Sequence, residues 1–301
     1  MRSKSRHSLL YSRKMAPYVF VLPFIIVFLL FFLYPVISTV IMSFQEVLPG
    51  QTEFVRAENY RRLLNGDFYR AVTNSVIYTI ITCAVLIPVP MLLASLLNSK
   101  KMRFKNFFRS VFFLPALVSI VVAGLTFRLI FGEMPTALLN SILGKIGIGP
   151  IKWLGGAARW TTFFALLVLC CWRWMGVNIM YYLSGLQSIS SELYESAEID
   201  GASAWQKFRY ISVPLLKPTT IYVLTISIYG GLAMFLESYM LFNGNRSPGG
   251  SGLTIVGYLY RLGWEQNNIG FGCAVGLVLL LVTLAINLIQ LAVTGFFKKK
   301  E

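Results

Sequence analysis

From Ala16 to Phe44 the chain carries no charged side chain. An α-helix rises about 1.5 Å per residue, so about 20 apolar residues cross the hydrocarbon core of a bilayer. This run is longer than that. Five further apolar runs follow, at 71–97, 110–131, 160–187, 218–242 and 269–297. Hydrocarbon offers backbone N–H and C=O groups no partner, so each run must satisfy its own peptide groups as a helix. The expected fold is therefore all-α: a polytopic membrane protein with six transmembrane helices. Composition agrees, with 56% hydrophobic and 13% charged residues and a mean hydropathy of +0.67; a soluble domain carries about 25% charged residues. Prolines predict a bend at Pro88 and Pro90 in the second run and an interruption at Pro115 in the third.

The net charge of +15 does not form a stripe suited to nucleic acid. It sits in clusters between the apolar runs: the tail 1–15, then Lys100, Lys101, Arg103, Lys105 and Arg109, then Lys207, Arg209 and Lys217, and finally Lys298 to Lys300. Basic clusters on alternate loops are the positive-inside pattern. They place both termini and the loop 190–217 in the cytoplasm, in a multi-pass protein of the cell (inner) membrane whose surroundings are lipid. No small-residue cleavage site follows the first run, so it is expected to be a retained span. Segments 45–70, 132–159 and 243–268 then lie outside, the first mixed and charged with short helices, the others rich in glycine.

The usual enzymatic constellations are missing. Cys83, Cys170, Cys171 and Cys273 fall within apolar runs and suit small buried hydrophobes, without metal-ligand spacing. His7 is the sole histidine and lies in the tail, so neither a metal set nor a Ser-His pair can be assembled. No G-x-x-x-x-G-K-[ST] loop occurs; Gly144-Lys145 lacks both the upstream glycine and the following hydroxyl. The chain is not expected to be an enzyme or to bind a cofactor. If it moves a solute, energy comes from a partner or from an ion gradient.

One stretch, residues 190 to 218, is too polar to cross lipid. It holds Glu192, Glu195, Glu198 and Asp200. Ser190 or Ser191 can cap a helix whose first turns carry the glutamates, where the macrodipole favours negative charge. Asp200-Gly201 breaks that helix, and a second one over Ala202 to Phe208 follows until Pro214 ends the segment. Two short helices set at an angle make a handle for something outside the membrane. An amphipathic helix lying in the headgroups is the blander reading, and the acidic first helix is unsuited to an anionic leaflet.

Glu195-Ser196-Ala197, Asp200-Gly201-Ala202 and Ile211-Ser212-Val213-Pro214 resemble the EAA loop of binding-protein-dependent ABC importer permeases. Gly201, Ile211 and Pro214 hold the family spacing; Ser196 stands where the family has alanine and Val213 where it has leucine. The six spans and the position of the loop between spans four and five are similar to the sugar-uptake branch. FRLIFGEM (Phe127 to Met134), WRWMGVN (Trp172 to Asn178), FLESYMLF (Phe235 to Phe242) and LTIVGYLY (Leu253 to Tyr260) resemble its arabinose and arabino-oligosaccharide group. The resemblance implies a type I importer transmembrane domain in which the loop docks on an ATPase. It further implies a second, homologous permease subunit, a dimer of ATPase subunits that bind ATP and Mg, and an extracellular sugar-binding lipoprotein. The coupling residues it implies are Glu195, Ser196, Ala197, Asp200, Gly201, Ala202, Ile211 and Pro214. The alternatives are a secondary transporter or channel, and an ABC permease for a non-sugar solute.

Three ionisable residues fall within the runs: Arg128, Arg173 and Glu237. Such residues are costly in lipid and face a cavity or a partner. Arg128 is near the outer end of its span, where snorkelling suffices. Arg173 lies deeper than Glu237, so a direct pair requires a tilted or broken helix; Arg173 is either structural or part of the solute path. A sugar path needs aromatic faces together with paired donors and acceptors. Arg173, Trp174, Asn178 and Tyr182 in the fourth span and Glu237, Ser238 and Tyr239 in the fifth are the candidates, against the ordinary use of aromatic residues in interface belts and helix contacts.

Overall fold

The computed structural model describes residues 15–99, 102–156, 159–245 and 247–295. Most of the basic tail with His7, Lys100, Lys101, Arg246 and Lys298 to Lys300 lie outside the described residues. Contacts divide the chain into two units, Met1–Leu63 with Leu262–Leu277, and Leu64–Arg261 with Val278–Glu301.

The first unit is built on α1, Ala16–Met42, whose mean hydropathy of 2.8 and lack of buried residues suit a lipid-facing helix. Its middle turn, Leu29–Leu33, is a π-turn directly ahead of Tyr34-Pro35. Proline has no N–H to donate and crowds the carbonyl four residues back; widening the turn accommodates both. Beyond the helix, where only short helices were expected, β1 (Gln45–Leu48) and β2 (Gln51–Phe54) form an antiparallel hairpin. Pro49-Gly50 turns it, with Gly50 at φ +78°. α2, Glu58–Arg62, braces the hairpin. Asn59, fully buried, donates to the carbonyls of Ser43 and Gln45, both at 2.9 Å, and the Tyr60 hydroxyl donates to Ser43 Oγ at 2.7 Å.

The second unit holds the second to fifth apolar runs and part of the sixth. α3 (Gly66–Leu86) and α4 (Pro88–Asn98) make the second span, with a one-residue interruption at Ile87. The third run differs from expectation. α5 (Lys105–Leu117) passes through Pro115 and stops at Val118, and α6 (Ile120–Ile130) leaves at 96°. The interruption lies after the proline because Val118 N–H still reaches the Pro115 carbonyl at 3.2 Å before the backbone becomes extended. α7 (Leu138–Lys145) occupies the glycine-rich segment, and α8 (Arg159–Gln187) is the unbroken fourth run. α9 (Ser191–Ile199) and α10 (Ala204–Leu215) form the polar loop. The fifth run is broken too, into α11 (Lys217–Leu232) and α12 (Leu236–Leu241), although no proline stands at the break. α13 (Ile255–Tyr260) follows, and α14 (Ile269–Val293) contributes to both units. Among the described residues four helices are long and apolar enough to cross a membrane, or up to six if each bent pair, α5 with α6 and α10 with α11 (68°), is one span.

α8 is the centre of this unit. Ala165, Leu169, Ile179 and Tyr182 along it are fully buried. Close helix approach is made by glycine: a Cβ on Gly176 would sit 1.8 Å from the Phe112 carbonyl oxygen of α5, and one on Gly231 would sit 2.5 Å from Thr79 Oγ1 of α3. The segment 247–255 is sewn to α3 by buried polar groups. Asn74 donates to the Gly250 and Leu253 carbonyls, both at 2.8 Å, and accepts from Arg159 at 2.7 Å. Asn65 donates to the Tyr258 hydroxyl at 2.8 Å, and Arg261 pairs with Asp67 at 2.6 Å. Burial pushes the Tyr258 phenol above its ordinary pKa, against the opposing pull of Asn65 and Arg261.

Candidate functional site

The polar loop is a defined elbow. Ser190 Oγ accepts from Glu192 N at the start of α9. At its end Gly201 takes φ +77°, its N–H bonds the Glu198 carbonyl at 3.0 Å, and Ala202 N–H bonds the Ala197 carbonyl at 2.8 Å. That pair of bonds is the Schellman closure. Ser203 and Gln206 then form a reciprocal capping box that starts α10. The second helix does not stop at Phe208 as expected but runs to Leu215, one residue past Pro214, with a π-turn, Phe208–Ser212, ahead of the proline, as in α1. Lys207 pairs with Glu198 across the elbow, and Tyr194 shares a hydrogen bond of 2.9 Å with Ser212, so the arms are tied twice.

Large apolar side chains stand exposed on the elbow among charged and polar ones. Ile199 is 88% exposed, Tyr210 74% and Trp205 64%. Glu195, Ser196, Asp200 and Gly201 are also exposed, while Ala197, Ala202 and Ile211 are half-buried on the inner side. The expected coupling residues therefore share one structure but do not form one surface. Sequence reasoning passed over Ile199, Trp205 and Tyr210; large apolar side chains in a polar segment were the available signal.

The candidates in the spans divide into two groups. Arg173 donates to the Val118 carbonyl at 2.6 Å, with its guanidinium 5.6 Å from the Trp174 ring centroid. Val118 is where α5 stops, so Arg173 satisfies a carbonyl that the break leaves open. Asn178 does the same for the second span. Its amide donates to the Leu86 carbonyl at 2.9 Å. Pro90, four residues on, has no N–H to offer that oxygen. Tyr182 is fully buried among Met91, Leu97 and Ile179. Ser238 donates to the Gly252 carbonyl at 2.5 Å, and Tyr239 packs with Phe235 and Tyr260 at centroid distances of 5.0 and 5.4 Å. Among the described residues no ion pair joins Arg173 to Glu237.

A cavity of about 70 Å³ lies between α3, α8, α11 and α12, lined by Tyr78, Thr82, Trp174, Asn178, Gly230 and Glu237 among others. It brings together Trp174 and Asn178 of the fourth span and Glu237 of the fifth. Tyr78 and Thr82 were missed because neither is charged at neutral pH and both read as ordinary helix residues. A larger cavity of about 320 Å³ is lined by Arg128, Gly132, Glu133, Phe242 and Pro248 among others. Among the described residues no cluster of His, Cys, Asp and Glu could hold a metal ion.

Known proteins resemble the chain along nearly its whole length. The arabinooligosaccharides transport system permease protein AraP of Bacillus subtilis is 55% identical over 290 residues, covering 96% of this chain and 92% of the relative. The lactose transport system permease protein LacF of Rhizobium radiobacter is 31% identical, covering 96% and 97%. A crystal structure of a bacterial ABC transporter involved in the import of the acidic polysaccharide alginate superposes with a TM-score of 0.83 at 26% identity, covering 95% of this chain and 97% of that one. A second crystal structure, of a bacterial alginate ABC transporter in complex with a periplasmic protein bound to alginate pentasaccharide, gives 0.82 at 25% identity. The family model described as the inner membrane component of binding-protein-dependent transport systems matches residues 69–300. With its bent and broken spans and the elbow between the fourth and fifth, the chain belongs to that family of ABC importer permeases.

Proposed function

We propose that the chain is one of two homologous permease subunits of an ATP-driven importer for arabino-oligosaccharides or closely similar sugars. Its partners are then the second permease, a dimer of ATPase subunits carrying ATP and Mg, and an extracellular sugar-binding lipoprotein. The observation that carries the sugar class is the 55% identity with AraP across 96% of the chain. The elbow supports the division of labour: it is rigidly capped, tied across its arms, and turns exposed apolar side chains outward. The chain itself carries no nucleotide-binding loop.

In this reading both termini and the elbow face the cytoplasm, as the basic clusters favour. Glu195, Ser196, Ala197, Asp200, Gly201, Ala202, Ile211 and Pro214 set the shape of the elbow, and Ile199, Trp205 and Tyr210 fill the cleft of the ATPase. Closure of the ATPase dimer moves the elbow, which is bonded to the fifth span through Leu216 and Lys217. The cavity beside Trp174, Asn178 and Glu237 is then a section of the sugar path and widens during the cycle. Arg173, Tyr182, Ser238 and Tyr239 act around it by holding the helices. The test is uptake of radiolabelled arabinotriose by cells carrying the whole system. Uptake that stops on ATP depletion while the ion gradient persists supports the proposal; uptake that persists points to a secondary transporter.

A further inference from the structure

We infer that Glu237 is a charge filter, so that the permease passes neutral sugars and rejects those carrying a carboxylate. This rests on the reading of the cavity as part of a sugar path. Glu237 is the one charged residue among those lining it. Arg173, the cation of the fourth span, is absent from the lining and donates to the Val118 carbonyl. Glu237 itself has no ion-pair partner among the described residues.

The remaining lining suits neutral polyols: Trp174, Tyr78, Thr82 and Asn178 share the space with Glu237. An ionised carboxylate accepts hydrogen bonds through two oxygens, which matches a pair of adjacent sugar hydroxyls. A uronate or aldonate meets like charge instead. At an effective dielectric constant of about 20, two anions about 6 Å apart repel by enough to weaken binding roughly a hundredfold. The filter would operate after any choice made by the binding protein. The fold does not require it, because a transporter with a closely similar fold is described as importing an acidic polysaccharide.

The experiment must bypass the binding protein. The complete permease–ATPase complex in nanodiscs, without binding protein, is probed at neutral pH by saturation-transfer NMR. The probes are arabinotriose and its C1-oxidised aldonate. The wild type is expected to bind the neutral sugar about tenfold to a hundredfold more strongly than the aldonate. Glu237→Gln should bring the aldonate to within about twofold of the neutral sugar. It should also weaken the neutral sugar by a few-fold, since the amide accepts through a single oxygen. Glu237→Asp, which keeps the charge, should keep the discrimination, and each variant is checked for assembly by co-purification of the ATPase subunit. Equal binding of both probes by the wild type, or unchanged discrimination in Glu237→Gln, overturns the filter alone. Absence of signal from both probes in the wild type overturns the sugar-path reading and the filter with it.

Discussion

At the scale of single residues, α8 works as a spine that completes its neighbours' backbones. Arg173 and Asn178 each donate to a carbonyl left open where a neighbouring span breaks. A buried carbonyl stripped of its donor costs about 1–3 kcal/mol. Asn178→Leu should therefore lower the thermal midpoint of the purified complex by a corresponding amount. Arg173→Met should do the same, whereas Arg173→Lys, which keeps a donor, should lose less. Gly176→Ala should be as damaging as either, because its Cβ would lie 1.8 Å from a backbone oxygen that cannot swing aside. The polar residues of the fourth span were legible in the sequence as residues needing a reason. Their partners were not, since Val118 and Leu86 lie 55 and 92 residues away and offer only main-chain atoms.

At the scale of elements, the elbow follows from local chemistry. A serine cap, a glycine at φ +77° and a Ser-Gln capping box fix both arms within a few residues of one another. Such signals are readable one segment at a time, and the start of the first helix and its break at Gly201 were. The run of the second helix past Phe208 and the break of the fifth span were not: the first passes through a π-turn, and no proline marks the second, between Leu232 and Leu236. Gly201 has open space where a Cβ would go, so alanine there meets no clash and bears only the left-handed backbone cost of about 1–2 kcal/mol. Gly201→Ala is expected to keep the ATPase bound but to lower uptake per ATP hydrolysed in proteoliposomes. Lys207→Gln removes a pair whose Glu198 side chain is 64% exposed. It should change stability by less than about 1 kcal/mol and leave transport near normal.

At the scale of the whole molecule, the long apolar runs made the class of fold legible, and the alternation of basic clusters favours a cytoplasmic elbow. A cysteine in place of the exposed Glu192 should react with a membrane-impermeant maleimide only from the cytoplasmic side; labelling of intact cells from outside would invert the topology. In the proposed function, residues 190–217 grip an ATPase that drives sugar through the spans. The most direct measurement is co-purification of the ATPase subunit, with arabinotriose uptake, for Gly201→Asp in the full complex. Both should fall to background while the thermal midpoint of the permease pair holds. Undiminished co-purification and uptake would contradict the account.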